Sequence, residues 1–492
     1  SLASPGEILV GTLSPTVNVI GRSPGALGTV QISKSSTIDT SESGGGAIHI
    51  RGGRLIVNGT NIFAKTGDIL LDGATISLND STWIVTFVDA NPGAKAGNIV
   101  ITASEGISMD SKAKVESQAS ASLNDAGNIT LRTSQGNITL SNEATIISGA
   151  FTGGRNTGSI EIDAQNGDVR LGNASLIFPS TDQDAGKMGD VKITANNLHI
   201  LDKSAIDSDN RSTQAAGNVD IQLKGLLRLT GGSEIESTTT VGGAPAANLI
   251  IRATEVQILE GSKLSANTGT ASAGAGGRVS IQGLVGPSDL ISIDGPGSGI
   301  FTDTKGIGPG GAIDVSTRSL TLQSGGTISA ETFGTTASAT GGSIRVKTTD
   351  HVTMNNGSSI TASSTGPADA GNISIDAGQQ LNMENSKITT EANQSKAGNI
   401  NIQAIDLVRV VNGEISTSVH SGAGRGGDIT IDPKTVILQN DSKVFAQAVQ
   451  GSGGNITITT PVYLIDPTSR VNADSQFGLN GSVTIQSPTS NL

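Results

Sequence analysis

Four histidines, His49, His199, His351 and His420, are the first side chains that could do chemistry here, and the chain has no cysteine. A metal site needs several ligands converging on one point. These four lie far apart and at differing phases of the repeat described below, so they are expected to stand singly on exposed faces. Without cysteine there is neither a disulfide framework nor a thiolate metal site. Acidic residues cluster at Asp182-Gln183-Asp184 and at Asp207-Ser208-Asp209. Paired carboxylates serve polysaccharide cleavage or calcium binding, but both clusters sit in turn-rich stretches and read first as solvated loops. A glycan cleft also favours stacking aromatics, and the chain has one Trp and one Tyr. Trp83 lies in Trp83-Ile84-Val85-Thr86-Phe87-Val88, the most hydrophobic stretch. Its alternation buries one face and leaves Trp83 and Phe87 as a candidate partner-binding patch, unless the Asn91–Ala96 loop covers them. Calcium-binding nonapeptides, phosphate loops and nucleophile elbows are absent from the sequence. The expectation is therefore no catalytic residue, no cofactor and no metal.

What must position these residues is repetitive. Gly, a small or polar residue, then aliphatic–any–aliphatic recurs about every 27–31 residues. It reads Gly97-Asn98-Ile99-Val100-Ile101, Gly127-Asn128-Ile129-Thr130-Leu131, Gly158-Ser159-Ile160-Glu161-Ile162 and Gly189-Asp190-Val191-Lys192-Ile193, and continues through Gly481. Between phrases lie two more short alternating segments. After Ile373 and Ile375 come Leu381-Asn382-Met383 and Ser386-Lys387-Ile388-Thr389, with Gly378 and Asn385 as turn residues. Three strands per repeat predict an all-β fold: a single right-handed parallel β-helix, a three-faced β-solenoid of about sixteen coils. Residues 28–492 are expected to form it continuously, with 1–27 as an N-terminal cap or irregular first coil. The Gly- and Pro-rich segment 283–310 reads as an enlarged coil whose loop protrudes. Gly28 and Gly46 begin phrases spaced too closely for a full repeat, which predicts short coils with almost no loop.

Composition agrees. Glycine is abundant at 66 residues and aromatics make up 2%, as a thin core of stacked aliphatic layers requires. The net charge of -12 repels nucleic acid and anionic lipid. No apolar run approaches the about 18 residues of a membrane-spanning helix. Asparagine follows the phrase glycine at Asn98, Asn128, Asn218, Asn372, Asn399 and Asn455. These are expected to form a structural ladder, their amides hydrogen-bonding from coil to coil.

The run Ala370-Gly371-Asn372-Ile373-Ser374-Ile375-Asp376-Ala377, its echoes at Gly398 and Gly454, and Asn385-Ser386-Lys387-Ile388-Thr389-Thr390 resemble filamentous-haemagglutinin-like exoproteins of the two-partner secretion type. The resemblance covers roughly residues 28–487. It implies export through an outer-membrane transporter, folding outside the cell, and a place on the bacterial cell surface or in the extracellular space. The family's N-terminal secretion domain is not recognisable in this sequence. The functional expectation is a non-enzymatic surface rod acting as an adhesin, biofilm or fibre component. Its partners would be glycans or proteins of a host, neighbouring cell or matrix, and copies of itself end to end. Two alternatives are a polysaccharide lyase or hydrolase, and a passive stalk for a toxin or adhesive tip.

Overall fold

The computed structural model describes residues 27–33, 36–41, 45–89, 93–120, 123–151, 154–181, 186–208, 210–211, 213–214 and 216–490. The regular elements among them are all β-strands. Contacts divide the chain into two units, residues 1–226 and 227–492. Each is a parallel β-solenoid, and together they comprise about 15 turns.

In the first unit, Ile129–Thr133, Asn137–Leu140 and Thr145–Phe151 form the three faces of one coil. They pair in parallel with Ile160–Ala164, Val169–Leu171 and Leu176–Thr181 of the next. In the second unit, Ile373–Asp376, Gln380–Glu384 and Lys387–Thr389 pair likewise with Ile400–Gln403, Leu407–Val411 and Glu414–Ser416. Period-2 alternation turns every second side chain inward. The register then stacks Ile129 on Ile160, Leu140 on Leu171 and Ile146 on Ile177, all fully buried. Each such side chain contributes roughly 1.5–3 kcal/mol relative to exposure.

The corners explain the repeat phrase. A Cβ on Gly371 would sit 1.7 Å from the Gly342 carbonyl oxygen, and one on Gly158 would sit 2.1 Å from that of Gly127. Successive coils approach so closely there that only a hydrogen fits. In several coils a buried hydroxyl from the third face closes the coil onto this glycine, and in others a backbone carbonyl there does so, as Ala362 does for the Gly371 N–H. Ser117 and Ser148 accept the N–H groups of Gly127 and Gly158 at 2.7 and 2.8 Å. Thr390 and Thr417 donate to the carbonyls of Gly398 and Gly427, each at 2.7 Å.

Between second and third faces, pairs of residues adopt left-handed φ, including Ser111 and Lys112, Asn142 and Glu143, and Asn173 and Ala174. Lys, Glu and Ala resist this conformation. Coil-to-coil bonds hold them there: the N–H groups of Lys112, Glu143 and Ala174 donate to the carbonyls of Asn142, Asn173 and Asp202, each at 2.9 Å. The first and second faces merge in places, since Ile69–Asn79 and Ile99–Met109 run through the corner as single strands.

One phrase lies on a face that its pattern alone does not indicate. Thr29–Ser33 pairs with the second-face strand Arg54–Asn58, not with Ile48–Arg51. The Gly28 phrase is thus displaced by one face, because first- and second-face strands share the aliphatic–any–aliphatic pattern. Within 283–310, Ser288–Asp294 and Gly299–Phe301 are ordinary second- and third-face strands. The projecting part is the reversal at Gly283–Pro287, closed by the Gly283 N–H on the Gly286 carbonyl at 3.0 Å, with Val285 95% exposed. Residues 1–26 of the expected cap lie outside the described residues.

Candidate functional site

The third face of the second unit gathers the most unusual chemistry. Phe301, Ser329, Thr361, Thr389, Ser416 and Phe445 occupy one outward register position in six successive coils. Three residues further on, the chain still pairs coil to coil through single bridges that link Thr304, Thr332, Ser364, Ala392 and Val419 in turn. This fixes a second outward column of Asp303, Glu331, Ser363 and Glu391.

The two columns bond to one another. Ser329 Oγ donates to Asp303 Oδ1 at 2.5 Å, and the Glu331 N–H to the same oxygen at 2.9 Å. Thr361 Oγ1 donates to Glu331 Oε1 at 2.7 Å. Ser416 Oγ donates to Glu391 Oε1 at 2.6 Å, while His420 Nε2 lies 3.1 Å from Glu391 Oε2. Burial pushes the Asp303 carboxyl above its usual range, against the Ser329 and Glu331 donors and the Lys305 charge. Burial also raises Glu331, against its Thr361 bond, and the like charges of Asp303 and Glu391 raise it further. Phe333 stands exposed beside this array. Such an array can hold protons and bond to hydroxyl-rich molecules.

Sequence reading missed this column. Its signal is an acidic residue three positions after the buried third-face aliphatic, as in Ile300 to Asp303, Ile328 to Glu331 and Ile388 to Glu391. It shows only when the coils are aligned by phase.

Of the residues singled out from sequence, His420 lies in this array beside Glu391, and the other described ones lie elsewhere. His49, His199 and His351 fall on separate first- and second-face strands. Among the described residues no three His, Cys, Asp or Glu side chains form a group that could hold a metal. Asp207 ends a third-face strand, Ala205–Asp207. Asp182, Asp184 and Asp209 lie outside the described residues, as do Asn91 and Pro92 of the loop near Trp83.

Trp83 and Phe87 do point outward, both half-buried, while Ile84, Thr86 and Val88 point into the core. Trp83 meets the Phe63 ring edge-to-face at 5.4 Å and 89°. Lys114 Nζ lies 5.5 Å over its ring.

The phrase asparagines do bridge coils, but mainly from side-chain oxygen to main-chain nitrogen. The Asn128 N–H donates to Asn98 Oδ1 at 3.0 Å, and the Ser159 N–H to Asn128 Oδ1 at 2.9 Å. In the second unit Asn372 receives the Asn399 N–H, and Asn399 the Asp428 N–H, each at 2.8 Å. An acceptor oxygen suffices, so Asp68, Asp190 and Asp428 serve in the same rows.

An open groove of about 770 Å³ in the first unit is lined by Arg51, Arg54, Arg132, Asp72 and Glu105, among others. Arg51 pairs with Asp72 at 3.1 Å and Arg132 with Asp163 at 3.2 Å, so its charge is largely balanced.

No family model, curated protein or solved structure matches the chain. The likeness to filamentous-haemagglutinin-like exoproteins rests on the repeat phrases themselves, and the β-solenoid is compatible with it.

Proposed function

We propose that the chain is a non-enzymatic extracellular surface protein, an adhesin or a component of biofilm or extracellular fibre. Its outward faces make repeated contacts with a polymeric partner. The observation that supports this most is the register itself. Ser329, Thr361, Thr389 and Ser416 fall in line because their strands pair without slippage, and the hydroxyls of Ser329, Thr361 and Ser416 hold the partly exposed Asp303, Glu331 and Glu391 in a parallel outward column. Coils rise by about 4.8 Å, close to the length of one sugar unit in a linear glycan. Weak contacts repeated at that spacing add up as linked binding events do. The net charge of -12 favours neutral or cationic partners over nucleic acid and anionic lipid. No helix among the described residues is long and apolar enough to cross a membrane. Export through an outer-membrane transporter, which the resemblance implies, belongs to the same reading.

The test is binding of the labelled chain to a panel of immobilised glycans and to whole cells. Saturable retention, reduced by Thr361→Lys, is the expected result. Retention on no surface, with fragments released from a polysaccharide, would overturn the reading.

A second reading is a polysaccharide hydrolase or lyase. It is favoured by Asp303 and Glu331, two carboxylates in adjacent coils whose protons are held more tightly than usual, as the general acid of a glycosidase is. It expects fragment release that Asp303→Asn abolishes.

A further inference from the structure

Like charges normally avoid stacking in register. In the second unit Asp303 and Glu331 stand in adjacent coils, and Glu391 follows two coils on, with Ser363 between. Every hydroxyl that bonds to them comes from the neighbouring column: Ser329, Thr361 and Ser416. These donors link one coil to another, since Ser329 lies one coil beyond Asp303 and Thr361 one coil beyond Glu331. The column is therefore a set of coil-to-coil ties in which repulsion between carboxylates opposes the hydrogen bonds.

We propose that Asp303, Glu331 and Glu391 form a proton-operated clasp, holding the surrounding coils more firmly in mildly acidic surroundings than at neutral pH.

The charged groups facing the clasp are few. Below Asp303 lies the uncharged Asn267, whose Oδ1 accepts the Asp303 N–H at 2.8 Å. Lys305, on the same coil, is the cation near Asp303. Glu331 faces Asp303 and Glu391. Glu391 faces Glu331 and His420, and His420 is a partner of opposite charge only when protonated. Lys387, on the same strand run as Glu391, is turned to Glu414 at 3.1 Å. Acidification thus removes repelling charge at Asp303 and Glu331. The sign follows from linkage. Groups that bind protons more tightly when folded contribute stability that is present below their ordinary range, about 3.9 for Asp and 4.3 for Glu. That contribution is lost as pH rises through the higher folded value.

Hydrogen exchange on the full chain, corrected for the intrinsic pH dependence of exchange, tests this between about pH 7 and about pH 4. Segments 299–305, 327–333 and 387–393 are expected to gain protection on acidification by about threefold or more. Strands Ile160–Ala164 and Val191–Ala195 of the first unit serve as the reference. Glu331→Gln is expected to bring protection at about pH 7 close to the acid value and to flatten the pH response. Asp303→Asn, read the same way, is expected to do so in part. Equal protection of these segments at both pH values in the natural chain would overturn the clasp. A full pH response retained in both variants would do the same.

Discussion

The indole N–H of Trp83 donates to Glu116 Oε2, one coil away, at 3.0 Å. The same carboxylate takes Lys114 Nζ at 2.6 Å and Gln118 Nε2 at 2.5 Å. Glu116 points away from the core, yet it is 1% exposed. Trp83, Lys114 and Gln118 roof it over, and an outward face of the first unit thereby acquires a small packed layer of its own.

Removing that carboxylate strands its donors. Glu116→Ala is expected to lower stability by about 2–4 kcal/mol, the range for breaking a buried, hydrogen-bonded charge pair. Trp83 is the only tryptophan, so its emission reports this site alone and should shift to the red before unfolding. A urea curve and emission spectrum superimposable on those of the natural chain would show that the pair holds nothing together.

The phrase glycines should differ sharply from glycines elsewhere. Gly371→Ala places a Cβ 1.7 Å from the Gly342 carbonyl, and neither backbone can yield without breaking the register. A loss of about 3 kcal/mol or more is expected, at the upper end for single substitutions. At Gly172 a Cβ meets nothing within 4 Å and φ is not left-handed. Gly172→Ala should be neutral or stabilising by up to about 1 kcal/mol. Paired denaturation midpoints decide the matter.

Ser148 is expected to matter through one bond. Its Oγ accepts the Gly158 N–H and also lies 3.2 Å from the Gly127 carbonyl. Ser148→Ala leaves a buried N–H without an acceptor, for about 1–3 kcal/mol. Ser148→Thr keeps the hydroxyl and should recover part of the loss. If both variants lose equally, the hydroxyl is not what closes the coil.

Asp125 responds to pH in the direction opposite to the clasp. Its bond to Arg155, at 2.7 Å between Oδ2 and the guanidinium, is the chief cause that holds its carboxyl below the usual range. Its contribution is therefore present above about pH 3.9 and disappears as pH falls through the lower folded value. Arg155 is half exposed, so water screening keeps the contribution of the pair small. The gap between the natural chain and Asp125→Asn should be open at about pH 7, narrow on acidification and shrink with added salt. A gap that widens in acid would contradict the pairing.

Much of the fold was legible in the chain. A thin aliphatic core leaves its mark as alternation, so Ile373, Ile375, Leu381, Met383 and Ile388 announced three inward-facing strands of one coil. The glycine of most phrases marked the corner, although only the carbonyl of the preceding coil explains why a Cβ is excluded at positions such as Gly371. Alternation is the same on every face, which is why the phrase after Gly28 does not by itself tell which face Thr29–Ser33 occupies. Nothing in the local pattern marks buried Ser117, Ser148 and Thr390 as residues that close a coil, because the glycine each one holds lies eight to ten residues further on.

Function-bearing chemistry was hardly legible at all. Outward positions carry no periodic constraint, and Asp303, Glu331 and Glu391 are separated in the chain by about a coil or more. By itself the sequence determined the period, the inward columns and the parallel stacking, because burying aliphatic side chains in register leaves few alternatives. Only the tertiary structure decided which outward residues become neighbours. Adjacency on a solenoid face is set by coil-to-coil register, which brings side chains from about thirty residues apart into hydrogen-bonding distance.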